Sequence, residues 1–111
     1  MSVFKKIIDG EIPVTLLHDD AECLAFADIH PQAPVHVLII PRREIRSHDD
    51  LTEADVALVG RMHLVAVALA KRLGLANGYR LTINCGEDGG QTVPHLHMHL
   101  MGGRAMGWPP G

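Results

Sequence analysis

Apolar and polar positions along the chain predict short elements separated by turn residues, beginning with a helix. Residues 3–8 carry apolar side chains at positions 3, 4, 7 and 8, which is helical spacing. Ser2 precedes them as a helix-capping residue, and Gly10 follows as a residue that ends helices. The first element is therefore predicted to be one short helix.

Extended segments follow this helix. Residues 14–18 and 22–27 have the composition of strands and are joined by two aspartates that favour a turn. The segment HPQAP, residues 30–34, is predicted to be a loop because its prolines disfavour helix and ladder pairing. Residues 35–40 are an apolar run typical of a buried strand.

The longest apolar pattern predicts one long helix. Thr52 and Asp55 form an imperfect capping box, so the helix is predicted to start at Thr52 and to end at Gly74 or Gly78. The main apolar positions recur at helical spacing: Val56, Val59, Met62, Ala66, Leu69 and Leu73. Three further apolar residues broaden this stripe: Leu58, Val65 and Val67. Either a deep core or a second subunit would bury that excess.

Two more strands and a glycine-rich loop complete the pattern. Residues 79–85 and 95–100 are predicted strands, and the loop GEDGGQT at residues 86–92 lies between them. The chain is therefore predicted to be one α+β domain, residues 1–111. It would have a mainly antiparallel five-stranded sheet, one long helix and one short helix.

Composition narrows the class of protein. The 111 residues are 47% hydrophobic and 21% charged, as in ordinary globular proteins. The formal net charge of −3 gives no general attraction to nucleic acid or to acidic membranes. No stretch approaches a membrane span, and the N-terminus lacks the apolar core of a signal peptide. Cys23 and Cys85 lack CxxC spacing and are expected to be reduced. We expect a cytoplasmic protein without nucleic-acid or membrane partners.

Three histidines alternate with apolar residues in the last predicted strand. Since side chains alternate across a sheet, His95, His97 and His99 would share one face, and the apolar residues between them would face the core. A metal site is one interpretation, but the outer two histidines would lie ~13 Å apart, too far for one zinc ion. A neighbouring pair joined by His36 could still bind a metal. A polar strand face is a second interpretation, and it leaves the glycine-rich loop unexplained.

Nucleophilic catalysis on phosphorus is the third interpretation. Neutral imidazole is a good nucleophile near pH 7, and a phosphorylated imidazole is reactive enough to be hydrolysed afterwards. A glycine-rich loop can present backbone N–H groups to phosphoryl oxygens. This interpretation accounts for both the histidines and the loop that precedes them.

The motifs resemble those of a known family. The segment HLHMHLM fits the His-φ-His-φ-His-φ-φ signature of the histidine triad (HIT) superfamily, in which φ is apolar. Further segments are similar to its Hint branch, the histidine triad nucleotide-binding proteins: FKKIIDGEIPV, CLAFADIHPQAPVHVLIIP, NCGEDGGQTVPHLHMHLMGGR and the tail MGWPPG. Together these segments cover nearly the whole chain outside the long helix.

The resemblance implies a HIT-like homodimer whose central strands and long helices meet at a two-fold axis. It also implies a purine nucleoside phosphoramidate hydrolase that cleaves the P–N bond of nucleoside 5′-phosphoramidates of the AMP-amine or AMP-lysine type. The reaction would proceed through a nucleotidyl-histidine and need no metal or cofactor. The alternative is a regulatory or scaffold dimer that binds purine nucleoside monophosphates and has only vestigial hydrolysis.

The resemblance assigns the catalytic roles. His97 would attack the α-phosphorus through Nε2, and chemistry then requires an acceptor that holds its Nδ1–H. His99 would contact the phosphoryl oxygens, while His95 and His36 would complete the proton network behind the nucleophile. Thr92, where family members often carry serine, would offer its hydroxyl to the leaving amine or an α-oxygen.

The resemblance also implies a set of nucleotide contacts. Asp28 would accept both ribose hydroxyls, and Asn84 would bind near the ribose or phosphate. Gly90 and Gln91 would supply backbone donors. Five apolar residues would sandwich the purine: Val3, Phe4, Ile7, Phe26 and Ile29. Ordinary core packing is the other interpretation of that apolar set.

Overall fold

The computed structural model describes residues 2–111 as an α+β fold built on one antiparallel sheet. Its helices are α1 (Val3–Ile8) and α2 (Val56–Arg72). Its strands are β1 (Leu16–Asp19), β2 (Cys23–Ala27), β3 (Val35–Pro41), β4 (Tyr79–Thr82) and β5 (Met98–Gly102). Short 3₁₀ turns at His48–Asp50 and Glu53–Asp55 lie between β3 and α2. The five strands lie in the order β1-β2-β3-β5-β4, which confirms the predicted fold class.

The sheet separates two apolar clusters. On one face, α2 packs against alternate residues of three strands: Cys23, Ala25, Val37, Ile39, Met98 and Leu100. On the other face, α1 places Phe4 in a smaller cluster with Leu24, Phe26, Leu38 and Ile40. His36 lies two residues before Leu38 on β3, and His99 pairs with Leu38 from β5. Because strand side chains alternate, both histidines lie on the α1 face of the sheet.

Helix α1 forms where the apolar spacing predicts it. The Lys5 N–H donates to Ser2 Oγ at 3.1 Å, which satisfies one of the free donors of the first turn. Gly10 follows the helix with φ +77°, a conformation that glycine adopts without strain. Phe4 is the buried residue of α1, and it anchors the helix to the sheet.

Helix α2 begins with the predicted capping box. The Asp55 carboxylate accepts from the Thr52 N–H at 2.8 Å, and the Thr52 hydroxyl accepts from the Ala54 N–H at 3.3 Å. This first turn is 3₁₀, so the α-helix begins at Val56 rather than at Thr52. No helix within residues 2–111 has the length and apolar character needed to cross a membrane.

The buried face of α2 is rotated from the predicted stripe. The buried residues are Leu58, Met62, Val65, Ala66, Leu69 and Ala70. Val56 was predicted on the main apolar stripe but is 66% exposed, and Leu64 and Val67 are also exposed. The apolar residues of α2 therefore cover more of the helix surface than one sheet can bury.

The strand that carries the histidines begins later than predicted. Strand β5 begins at Met98, so His95 and His97 precede it. Pro94 has no N–H to donate, and the Leu96 N–H donates to Ile45 O at 2.7 Å instead of joining the ladder with β3. The predicted alternation persists, because Leu96 and Met98 pack in the cluster on the α2 face, whereas the His95 and His97 rings lie against Phe4. Strand β4 likewise ends at Thr82 rather than at residue 85.

Candidate functional site

A backbone carbonyl holds the His97 ring. His97 Nδ1 lies 2.7 Å from His95 O, so Nδ1 carries the proton and donates it to the carbonyl. In the neutral ring, Nε2 then keeps its lone pair. The ring is 5% exposed and meets the Phe4 ring edge-to-face, with the ring centroids 5.0 Å apart. The acceptor that a nucleophilic His97 requires is therefore present.

His95 supports the site through its backbone rather than through its ring. Its imidazole is 1% exposed, and Nε2–H donates to Pro41 O at 2.8 Å. Burial lowers the pKa of His95 below its ordinary value, so the ring is neutral near pH 7. The ring bonds to neither His36 nor His99, so the expected proton network contains no direct bond between His95 and His36 in this structure.

His36 and His99 form a direct pair across β3 and β5. His36 Nε2 lies 2.8 Å from His99 Nδ1, and His36 Nδ1 accepts from the Gln32 N–H at 3.0 Å. Burial, followed by the neighbouring His97 and His36, lowers the pKa of His99 to about 4. His99 Nε2 is buried and has no hydrogen-bond partner in residues 2–111. His99 is thus a neutral ring with one unsatisfied polar nitrogen, close to His97 at a centroid distance of 5.0 Å.

The low pKa of His99 predicts a loss of stability in mild acid. The unfolded chain protonates His99 near pH 6.5 and the folded chain near pH 4, so stability is full above the first value and falls as pH drops toward the second. Between pH 7.5 and 4.5 the loss from His99 should be about 2 kcal/mol. Urea unfolding at both pH values measures it. The His99→Gln protein should lose less unfolding free energy over this pH range than the parent. His48→Gln, at an exposed site, is the control and should match the parent. Equal losses in all three proteins would contradict the assignment to His99.

Three potential ligand atoms meet where β2 ends and β3 and β5 pair. An Asp28 carboxylate oxygen, His36 Nε2 and His99 Nδ1 all lie within 4.8 Å of one another. The Gln32 N–H occupies the lone pair of His36 Nδ1, so neutral His36 carries its proton on Nε2. A protonated Nε2 donates hydrogen bonds and has no lone pair for a metal. The donor set therefore fits a hydrogen-bonded cluster better than a metal site.

Asp28, the residue predicted to bind the ribose, is the carboxylate of this cluster. Asp28 is half-buried; its Oδ1 accepts from the His30 N–H at 2.8 Å, and its Oδ2 lies 3.4 Å from His36 Nε2. Each carboxylate oxygen has more than one acceptor site, so Asp28 can still accept from a diol. Asn84 is half-buried just beyond β4.

The predicted purine-binding set divides in two. Phe4 and Phe26 are core residues, 6% and 5% exposed, and pack edge-to-face at a centroid distance of 5.8 Å. Val3 and Ile29 are exposed, at 44% and 84%, and Ile7 is half-buried. Core packing is therefore the better interpretation of the two phenylalanines, and only the other three offer free apolar surface.

The glycine-rich loop uses its own backbone donors. The Gly90 N–H donates to Glu87 O and the Gln91 N–H donates to Gly86 O, each at 3.0 Å. The two N–H groups that were expected to bind phosphate are thus engaged within the loop. Gly89 is required on steric grounds, because a Cβ there would lie 2.3 Å from Cys85 O. Thr92, the last residue of the loop, is exposed.

The Gln91 side chain is a structural contribution that sequence reasoning missed. Its Oε1 accepts from the Gly86 N–H at 3.0 Å, and its Nε2 donates to Arg46 O at 2.8 Å and to Val93 O at 3.0 Å. These bonds tie the glycine-rich loop to the segment after β3. A glutamine directly after two glycines was the only signal, and it does not predict a contact 45 residues away.

An open cavity of about 580 Å³ adjoins Thr92. Acidic and basic groups line it together, with Arg46, Asp49, Asp50 and Glu87 among them. A smaller cavity of about 250 Å³ shares Arg46 with it and reaches His95. The surface next to the histidines is therefore polar on the Thr92 side, opposite in character to the apolar α1 side.

Comparisons with known proteins agree on one family. A family model described as the HIT domain matches residues 9–106. An uncharacterized HIT-like protein from Synechococcus elongatus is 50% identical over 110 residues, which are 99% of this chain and 96% of that protein. The crystal structure of a HIT family hydrolase from Legionella pneumophila is 47% identical, with a TM-score of 0.98 and full coverage of both chains. A histidine triad nucleotide-binding protein from Candida albicans is 33% identical, with a TM-score of 0.83, covering 98% of this chain and 83% of that one.

Proposed function

The chain belongs to the HIT domain family, and we propose that it is a purine nucleoside phosphoramidate hydrolase of the Hint branch. Its substrates would be nucleoside 5′-phosphoramidates of the AMP-amine or AMP-lysine type. One observation carries this proposal: the bond from His97 Nδ1 to His95 O leaves Nε2 as a free nucleophile on a ring that neighbours His99, whose own Nε2 is unsatisfied. Two of the solved relatives are HIT family hydrolases, which supports the class of reaction.

The first chemical step forms a nucleotidyl-histidine. His97 Nε2 attacks the α-phosphorus, the Nε2–P bond forms, and the P–N bond to the amine breaks. The departing nitrogen takes a proton from solvent, which the water that attacks in the second step returns. The Thr92 hydroxyl is the group proposed to contact this nitrogen. As charge grows on the phosphoryl oxygens, a hydrogen bond from His99 Nε2–H stabilises it in a site that burial keeps poorly solvated.

The second step releases the nucleotide. Water attacks the phosphorus, the P–Nε2 bond breaks, and the nucleoside monophosphate leaves with the oxygen from water. His97 regains its lone pair on Nε2, while Nδ1 stays bonded to His95 O throughout. Because that carbonyl stabilises positive charge on the ring during attack, His97 can form the covalent bond without losing its orientation.

The nucleotide contacts would lie on the α1 side of the histidines. Asp28 would accept the ribose hydroxyls, and Asn84 would hydrogen-bond near the ribose or phosphate. The purine would pack against the exposed surface of Val3, Ile7 and Ile29. Phe4 and Phe26 would act indirectly, by holding α1 against the sheet.

A nucleotide-binding regulatory or scaffold role is the second candidate. It is favoured by the engaged N–H groups of Gly90 and Gln91, which are not free to bind a phosphoryl oxygen in this conformation. Steady-state turnover of adenosine 5′-phosphoramidate separates the two functions, with AMP binding measured by calorimetry. Turnover that persists in EDTA is expected. AMP binding with negligible turnover would support the scaffold role, and activity that EDTA abolishes and zinc restores would contradict the metal-free mechanism.

We propose that the protein is a homodimer formed through α2 and β4. Strand β4 is an edge of the sheet, and the exposed Val56, Leu64 and Val67 form an apolar face on α2. An apolar hollow of about 270 Å³ continues from Val67 to Tyr79 on β4, so the helix face and the sheet edge form one surface. A second copy would cover both.

Val67→Glu is expected to give a monomer, because it places a charge in the proposed interface. Size-exclusion chromatography with light scattering measures the mass, and the parent should have twice the mass of one chain. Ala21→Glu, at an exposed position in the β1–β2 turn at the opposite edge of the sheet from β4, is the control and should remain dimeric. A parent of single-chain mass would contradict the proposal.

Deleting Met106–Gly111 is expected to change selectivity among leaving amines more than affinity for AMP. The Arg80 guanidinium donates to Gly107 O at 2.8 Å, which holds the start of this tail, while Trp108 is 84% exposed. In the proposed dimer the tail would lie near the partner's site, on the amine side. Turnover of phosphoramidates that differ only in the amine measures the effect. Unchanged selectivity in the truncated protein would count against this role.

A further inference from the structure

The His36 ring is held at both nitrogens, at one by a backbone group outside the nucleotide site and at the other by His99. The Gln32 backbone N–H donates to Nδ1 at 3.0 Å, and Nε2 lies 2.8 Å from His99 Nδ1. A backbone N–H can only donate, so Nδ1 of His36 must accept and carries no proton. The ring is therefore the Nε2–H tautomer. That single constraint fixes the direction of the next bond.

The tautomer of His99 follows from that of His36. His36 Nε2–H donates to His99 Nδ1, which must then be the accepting nitrogen. His99 is neutral near pH 7, so its proton lies on Nε2. Nε2 is the buried atom without a partner in residues 2–111. The chain of bonds thus runs from the Gln32 N–H through His36 to His99, and it ends in the His99 Nε2–H, which has no acceptor within residues 2–111.

The Gln32 peptide is itself fixed by the segment after β5. The Arg104 guanidinium donates twice to Gln32 O, from Nη2 at 3.0 Å and from Nε at 3.3 Å. Gly103, with φ +88°, lets this segment approach the loop, because a Cβ there would lie 2.9 Å from Pro34 Cβ. The loop that carries the Gln32 N–H is therefore clamped beside the active site, although neither Gln32 nor Arg104 contacts His97 or His99.

We propose that the Gln32 N–H, clamped by Arg104, is a positioning group that sets the tautomers of His36 and His99 so that His99 presents a proton to the phosphoryl group. Without it, His36 could place its proton on Nδ1 and turn Nε2 into an acceptor. His99 would then donate from Nδ1 to His36, and its Nε2 would present a lone pair to an anionic oxygen. The catalytic consequence rests on the proposed function, whereas the tautomers themselves do not.

Long-range ¹H–¹⁵N NMR spectra of the histidine rings test the tautomers without any substrate. The parent should show Nε2–H on both His36 and His99. Gln32→Pro removes the N–H from a loop that already contains two prolines, and it should populate the Nδ1–H form of His36. Gln32→Ala keeps the N–H and removes only the side chain, so it should retain the parent spectrum. A parent whose His36 carries the proton on Nδ1, or a folded Gln32→Pro with the parent spectrum, would overturn the proposal.

Kinetics test the consequence for phosphoryl transfer. Gln32→Pro should lower kcat about 10- to 100-fold with a smaller effect on AMP affinity, because neither the Gln32 N–H nor its side chain is among the proposed ribose and base contacts. Arg104→Ala should shift the same His36 signals in the same direction by a smaller amount. Arg104→Lys, which keeps a cationic nitrogen that can donate to Gln32 O, should restore them. If the NMR prediction holds but the protein does not turn over phosphoramidates, the proposed function is refuted and the tautomer assignment is not. An altered tautomer with unchanged kcat would refute the positioning role.

Discussion

Replacing His97 with alanine is expected to lower kcat for an adenosine 5′-phosphoramidate by at least ~10³-fold while AMP affinity stays close to that of the parent. The reason is chemical, because the proposed covalent bond forms at His97 Nε2 and no neighbouring ring presents a free Nε2 lone pair. His95 donates from Nε2 to Pro41 O, and His99 carries its proton on Nε2 because its Nδ1 accepts from His36. Single-turnover kinetics and AMP calorimetry on the same preparation measure the two effects.

His95→Ala is the matched control for this loss. It removes a buried imidazole of the same size but keeps the backbone carbonyl that holds His97 Nδ1. Its effect should therefore fall mainly on stability, with a smaller loss of kcat. His99→Ala should also lose less than His97→Ala, within the 10²–10⁴-fold range typical of protonation and charge stabilisation. A His97→Ala protein that retains more activity than His95→Ala would contradict His97 as the nucleophile.

Replacing Asp28 with asparagine is expected to lower kcat/KM for ribonucleotide substrates about ten- to a hundred-fold. Hydrogen bonds to a charged group are worth roughly 1.5–3 kcal/mol, and the carboxylate is proposed to accept from both ribose hydroxyls. The kcat/KM values of a ribonucleoside phosphoramidate and of its 2′,3′-dideoxy analogue separate this role from others. The kcat/KM for the dideoxy analogue should change little.

The structure sets the control that this experiment needs. Asp28 also accepts from the His30 N–H at 2.8 Å and lies 3.4 Å from His36 Nε2, so its replacement can disturb the loop and the His36–His99 pair. Such a disturbance would reduce turnover of both substrates alike. Equal losses for the ribonucleotide and the dideoxy analogue would therefore assign Asp28 a structural role and contradict ribose binding.

Local sequence signals predicted most of the fold, because they act over short distances. Ser2 caps α1, the Thr52–Asp55 box opens the helical segment, and the apolar alternation identified the five strands. The start of β5 could not be predicted, since it depends on the Leu96 N–H bonding to Ile45 O, 51 residues away by their numbering. The rotation of the buried face of α2 likewise depends on which residues the sheet can cover.

The residues of the candidate site were predicted from the sequence, but the backbone contacts that hold them were not. A nucleophilic histidine demands an acceptor for its second nitrogen, and His95 O supplies one. Chemistry alone could not identify that acceptor as the backbone of His95, the preceding histidine of the motif. The engaged N–H groups of Gly90 and Gln91 and the Gln32 N–H on His36 are backbone contacts, which side-chain patterns do not encode.

The covalent intermediate is the central claim, and mass analysis during turnover tests it most directly. The protein is mixed with a phosphoramidate that has a good leaving amine and quenched within milliseconds in alkaline denaturant, since the bond from phosphorus to imidazole is labile in acid. The peptides are then analysed by mass spectrometry. The nucleotidyl mass should appear on His97 in the parent and be absent from His97→Ala. A nucleotidyl group on any other residue, or AMP that accumulates with no adduct at any quench time, would contradict the mechanism.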